Sequence, residues 1–442
     1  MMKFEINDYL ANGIAFPRLY HSIYSIDKAK YSNIEKKYDK NGDTVSSTFE
    51  KLKKRTSANY YSHVLIAQTD ALDYSQYLFP TYKFILPETL MDDWMAVMDP
   101  HREGKRDHSL HQPMTAYIVS RLLGGGISSQ SLNINGTYLL DKCADLLLDE
   151  NNEGTRYLRE YFRELYPSVD KMHLPDTIKR KIACDVFYQT AVTAALFHDI
   201  GYPWQFANSI DKALDASEYE VKDNLQRSAN GILDIIANRL LMNPFYGYSD
   251  CSKKHETSTW KRELTKNLSD AFYGTHGFPG AVAFTYLTDQ VRVFPKKMNF
   301  NEAVCQFITD WAAVGILMHD MPNQYWGGGK VPSKPQYRLY ADVDPLSCLI
   351  AMSDVLEEFN RPLAKFTPNQ GSVDVKYDFA CNATDVDVFG DKLIITYHYM
   401  TPAGVASNKK RRLDEIESYF GRKYGYIDLS AMGIKEVECR IV

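Results

Sequence analysis

The chain has 442 residues, 45% hydrophobic and 24% charged, so it is long enough for two globular units and ordinary enough in composition to fold. A formal net charge of −5 argues against a dedicated nucleic-acid binder, which would show a basic stripe, but leaves room for a nucleotide held by one local cation. No run approaches the length of apolar chain that a membrane span needs, residues 1–16 lack the basic-then-apolar pattern of a secretory leader, and seven dispersed cysteines without a C-x-x-C pair read as reduced thiols in a cytoplasmic protein.

Residues 1–100 are mixed and aromatic and are expected to form an N-terminal extension. Helical periodicity then dominates residues 101–366. A helix is predicted over Met114–Leu123, stopped by Gly124, Gly125 and Gly126, and an amphipathic one over Tyr138–Leu148. A long apolar helix, Lys181–Phe197, ends at Gly201 and Pro203. Residues 211–269 look like an insertion. Further helices are predicted from Gly280 to Leu287, from Asn301 to Met318 and from Pro345 to Phe359, the last with Pro345 in its first turn. Residues 371–442 change pattern. Alternation over Val373–Phe379 and Leu393–Tyr399, an amphipathic helix over Lys409–Phe420 and a short strand at Val437–Val442 predict a small, separate α/β domain. The fold class expected is mainly α with that module appended.

Five places carry polar, metal-binding residue types beside apolar helices: His111, the pair His198-Asp199, His276, His319 and Asp354. The pair closes the apolar run from Ala194 to Phe197, and His319-Asp320 repeats the pattern after Met318. Such groups are costly to bury alone, and Asp at a helix C-terminus opposes the helix dipole. A divalent cation accepts imidazole nitrogen and carboxylate oxygen together. The plainer readings are a helix-end cap for His198-Asp199, a hydrogen-bonded buried Asp354, and satisfied core histidines at His276 and His319. His108 is the rival of His111, one turn earlier.

The order His, then His-Asp, then Asp on separate helices resembles the signature of the HD superfamily. Asp107 to His111 resembles its first-ligand helix, Leu196 to Gly201 its namesake motif and Ser353-Asp354 its last ligand, over roughly residues 102–361. The long interval from His111 to His198 then asks for an inserted helical hairpin around residues 139–165. The resemblance implies an HD-type helical bundle. It implies a first divalent ion on His111, His198, Asp199 and Asp354, and a second reached by Asp199, His276 and His319. Mn, Mg, Fe, Co, Ni and Zn are not distinguished. The implied activity is hydrolysis of a phosphate ester, a nucleotide or a relative of one, by water that the cations acidify, with His198 and Asp199 at its centre. The same ligand types also resemble the di-iron oxygenases of that superfamily, and a nucleotide-binding regulator with little catalysis is a third reading. The His319-Asp320 pair departs from the His-His of cyclic-dinucleotide phosphodiesterases, so the cyclic-dinucleotide substrate does not carry over. Candidate phosphate contacts are Arg361, Lys330 and Arg338, each with a solvated surface residue as the plainer reading. Lys409, Lys410, Arg411 and Arg412 read as a solvated helix start. A membrane partner is not expected; a homo-oligomer is compatible.

Overall fold

The structure, a computed structural model, describes residues 1–5, 108–124, 131–152, 159, 176–201, 276–293, 302–320, 338–358, 363–367, 372–376, 381–422 and 425–442. These residues are mainly helical. In chain order the helices are α1 (His108–Leu122), α2 (Leu139–Leu148), α3 (Asp176–Phe197), α4 (Gly277–Val293), α5 (Glu302–His319), α6 (Pro345–Leu356) and α7 (Pro402–Phe420). The strands are β1 (Met2–Glu5), β2 (Asn133–Ile134), β3 (Thr137–Tyr138), β4 (Leu339–Tyr340), β5 (Leu363–Thr367), β6 (Ser372–Lys376), β7 (Cys381–Phe389), β8 (Lys392–Tyr399), β9 (Ile427–Asp428) and β10 (Glu436–Ile441). No helix among the described residues is long and apolar enough to cross a membrane.

The helix α3 is the axis of the bundle, packing against α1, α2, α5 and α6. Its second half is largely buried, with Val186, Phe187, Ala191, Ala194, Ala195 and Phe197 in the core and the hydroxyls of Thr190 and Thr193 donating to the carbonyls of Val186 and Gln189 four residues earlier. Across from it, α5 buries Trp311, whose ring meets Phe187 and Phe307 edge-on. The Trp311 indole N–H donates to Asp344, and Asp344 also accepts from the Ser347 backbone N–H as the N-cap of α6. One carboxylate therefore starts the last helix and anchors it to the core. Pro345 occupies the first turn of α6, as its fixed φ favours. The helix stops at Leu356, shorter than the predicted Phe359, because Glu357 adopts an extended backbone (φ −79°, ψ 107°).

The C-terminal strands build a four-stranded sheet in the order β1-β7-β8-β10. β1 and β8 run antiparallel to β7, and β10 runs parallel to β8. The first residues of the chain thus complete the sheet of the last ones, with Met2 opposite Val386. Buried Phe4, Val386, Leu393, Ile395 and Tyr397 belong to the same continuous apolar core as the helices. The helix α7 begins at Pro402 behind the Thr401 N-cap, earlier than the predicted Lys409. The basic start expected there is corrected at one residue. Arg412 is fully buried, paired with Glu358 at the end of α6 and with Glu415, its guanidinium 5.3 Å from the Tyr397 ring centroid.

Candidate metal centre

The bundle brings His111, His198, Asp199, His276, His319 and Asp354 together at its centre, each buried. His111 projects from α1, His198 and Asp199 from the turn that ends α3, His319 from the last position of α5 and Asp354 from the last turn of α6. His276 stands immediately before α4.

The same local device sets two of the rings. A helix C-terminus leaves its final carbonyls without intrahelical partners. The His198 Nδ1 lies 2.7 Å from the Ala195 carbonyl, and the His319 Nδ1 lies 2.6 Å from the Ile316 carbonyl. A carbonyl only accepts, so each Nδ1 carries the proton, and the Nε2 of each neutral ring is a lone pair aimed inward. His111 is held the same way by a different partner, its Nδ1 bonding the Glu357 carboxylate. The fourth ring, His276, has Nδ1 3.1 Å from Asp320 Oδ2. That oxygen also accepts the backbone N–H groups of His276 (3.0 Å) and Gly277 (3.3 Å), placing a negative charge at the N-terminus of α4.

Two glycines let these segments close up. A Cβ on Gly201 would lie 1.8 Å from the His276 carbonyl oxygen, and one on Gly277 would lie 2.8 Å from the Leu317 oxygen and 2.9 Å from Asp320 Cβ. The backbone after His198-Asp199 and the backbone of His276 are therefore in direct contact, which only hydrogen at Gly201 allows. Gly201→Ala is expected to destabilise the fold by about 3 kcal/mol, the upper end of overpacking costs, with displacement of His276; urea denaturation against the parent protein measures it.

With the rings fixed, the Nε2 atoms converge. His111 and His198 meet Nε2 to Nε2 at 3.2 Å, and His276 and His319 at 3.1 Å. Asp199 lies between the two pairs and divides its oxygens. Oδ2 is 3.2 Å from His111 Nε2, while Oδ1 is 3.1 Å from His276, 3.3 Å from His319 and 3.4 Å from His198. Asp354 Oδ1 completes the first side at 3.0 Å from His111 and 3.7 Å from His198. Two groups of donors could each hold a metal ion: His111, His198 and Asp354, and His198, Asp199 and His319. The second group takes His198 where the sequence reading takes His276, whose Nε2 nevertheless approaches both Asp199 and His319.

Electrostatics favour an ionised centre. Burial would push the Asp199 carboxyl up, but the imidazoles around it, His198 and His276 foremost, outweigh it and hold it well below the usual carboxylate range. Two Nε2 atoms this close cannot both present bare lone pairs; a shared proton or a cation between them satisfies both, and a divalent cation suits this mixture of nitrogen and oxygen donors.

Glu357 is the residue that sequence reasoning missed. Its signal was its place three residues after Asp354, at the end of an apolar helix. Of the candidate phosphate contacts, Arg338 is described; its guanidinium lies 3.6 Å from the Asp428 carboxylate, donates to the Arg422 carbonyl and sits over the Tyr340 ring. Lys330 and Arg361 lie outside the described residues, as does the predicted insertion at 211–269. No family model matches the chain, no curated protein matches it, and no solved structure matches it.

Proposed function

We propose that the protein is a metal-dependent phosphoric ester hydrolase of HD type, acting on a small phosphate ester such as a nucleotide. The observation that carries this reading is the place of Asp199, whose carboxylate oxygens lie within 3.4 Å of imidazoles from both clusters. His111, His198 and Asp354 would hold one divalent ion, His276 and His319 the other, and Asp199 both. The imidazole-rich set suits Mn, Fe, Co, Ni or Zn better than Mg, which prefers oxygen and retained water. Bound there, the ions would supply acidified water and positive charge for the phosphoryl oxygens.

The protein's own side chains do the rest. The Glu357 carboxylate and the Ala195 and Ile316 carbonyls hold the proton on Nδ1 of His111, His198 and His319, so that Nε2 stays available. The surrounding apolar helices exclude bulk water and strengthen every charge interaction inside. His276 and Asp354 have the most exposed side chains of the six, each 7%, so a substrate would approach from their side. Removing the orienting carboxylate tests the set: Glu357→Ala is expected to weaken metal binding by about 10–100-fold, read by chelator competition.

The activity itself is tested with full-length protein stripped by a chelator and reloaded with Mn²⁺ or Co²⁺. The panel is nucleoside mono-, tri- and cyclic phosphates plus an aryl phosphate. Metal-dependent release of phosphate or nucleotide is expected. Metal-loaded protein that hydrolyses none of them, or that turns over only with two irons and oxygen, overturns the proposal.

A further inference from the structure

The ends of α5 and α6 carry His319 and Asp354, and their last carbonyls have no partners within the helix. The C-terminal residues supply those partners. Tyr426 donates its hydroxyl to the carbonyl of Met318, at 2.5 Å, one residue before His319. Tyr397 donates to the carbonyl of Val355, at 2.8 Å, and Thr384 to that of Leu356, at 3.3 Å, one and two residues after Asp354. Both tyrosines are fully buried. Glu358, the second residue beyond α6, is gripped by Arg411 and Arg412 and accepts from the Tyr399 hydroxyl. Next to it, Glu357 holds the His111 ring.

These contacts are divided as the centre is divided. Tyr397 and Thr384 act on the turn that carries Asp354, and Tyr426 acts on the turn that carries His319. A backbone carbonyl fixed beside a ligand fixes the Cα position and side-chain direction of that ligand, and metal affinity is sensitive to such outer contacts. We infer that the C-terminal α/β module is a positioning unit for the metal centre, with Tyr397 setting the Asp354 side and Tyr426 setting the His319 side. This rests on the metal-binding reading above.

The test titrates chelator-stripped full-length protein with Co²⁺, following the visible absorption band and the heat of binding. His111→Ala and His276→Ala identify which binding step belongs to which side. Tyr397→Phe, which keeps the buried ring and removes one hydroxyl, is expected to weaken the Asp354-side ion roughly tenfold and leave the other step unchanged. Tyr426→Phe is expected to do the converse. Thr384→Val, whose side chain is the same size, is expected to follow Tyr397→Phe in direction and serves if a tyrosine variant does not fold. Equal weakening of both steps by either tyrosine variant, or no weakening by any of the three, overturns the inference while the metal centre stands. Failure of the parent protein to bind Co²⁺ overturns both.

Discussion

Asp199→Ala is expected to remove both metal ions at once and to abolish phosphoester hydrolysis, a loss on the order of 10³-fold or more. The reason is geometric. Asp199 faces both clusters, Oδ2 toward His111 and Oδ1 toward His276, His319 and His198. Its removal also takes the carboxylate from among four imidazoles, so that each ion loses an anionic ligand and the charge attraction that goes with it. His276→Ala is expected to behave differently: it deletes one ligand on one side and leaves the His111, His198 and Asp354 group intact. Elemental analysis of the two variants, purified alike, separates the cases. Asp199→Ala holding as much metal as the parent would refute the bridging role.

The second large effect lies outside the centre. Arg412→Met is expected to destabilise the protein by about 3–5 kcal/mol, because it strands Glu358 as a buried charge. Arg411 also reaches Glu358 but is half exposed, so it recovers only part of the loss. Arg412→Met combined with Glu358→Met, which removes both charges and keeps the volume, is expected to regain most of the stability, since replacing a whole buried pair by apolar side chains is often neutral. Reversible urea denaturation of the single and double variants measures both. A single variant as stable as the parent would show that the pair contributes little.

The six residues at the centre were legible in the sequence for one physical reason. Each is a polar side chain set beside an apolar helical run, where burial without a partner is too costly to be incidental. The helices themselves were legible from periodicity and from Gly and Pro at their ends, as at Pro345. What stayed hidden depends on partners distant in the chain. Arg412 has the sequence context of a solvated lysine- and arginine-rich helix, and only its partner Glu358, just beyond the end of α6, reveals it as buried. Met2–Glu5 is too short to announce a strand, and its partner β7 lies near the other end of the chain. Glu357 falls inside the predicted Pro345–Phe359 helix, and its contact with His111 depends on a partner far away in the chain and on the extended backbone at Glu357 itself.

Counting bound ions tests the two-ion centre most directly. Equilibrium dialysis of chelator-stripped full-length protein against Mn²⁺ or Co²⁺, with metal and protein quantified in the same sample, is expected to give two ions per chain. One ion per chain, or none above the buffer background, would contradict it.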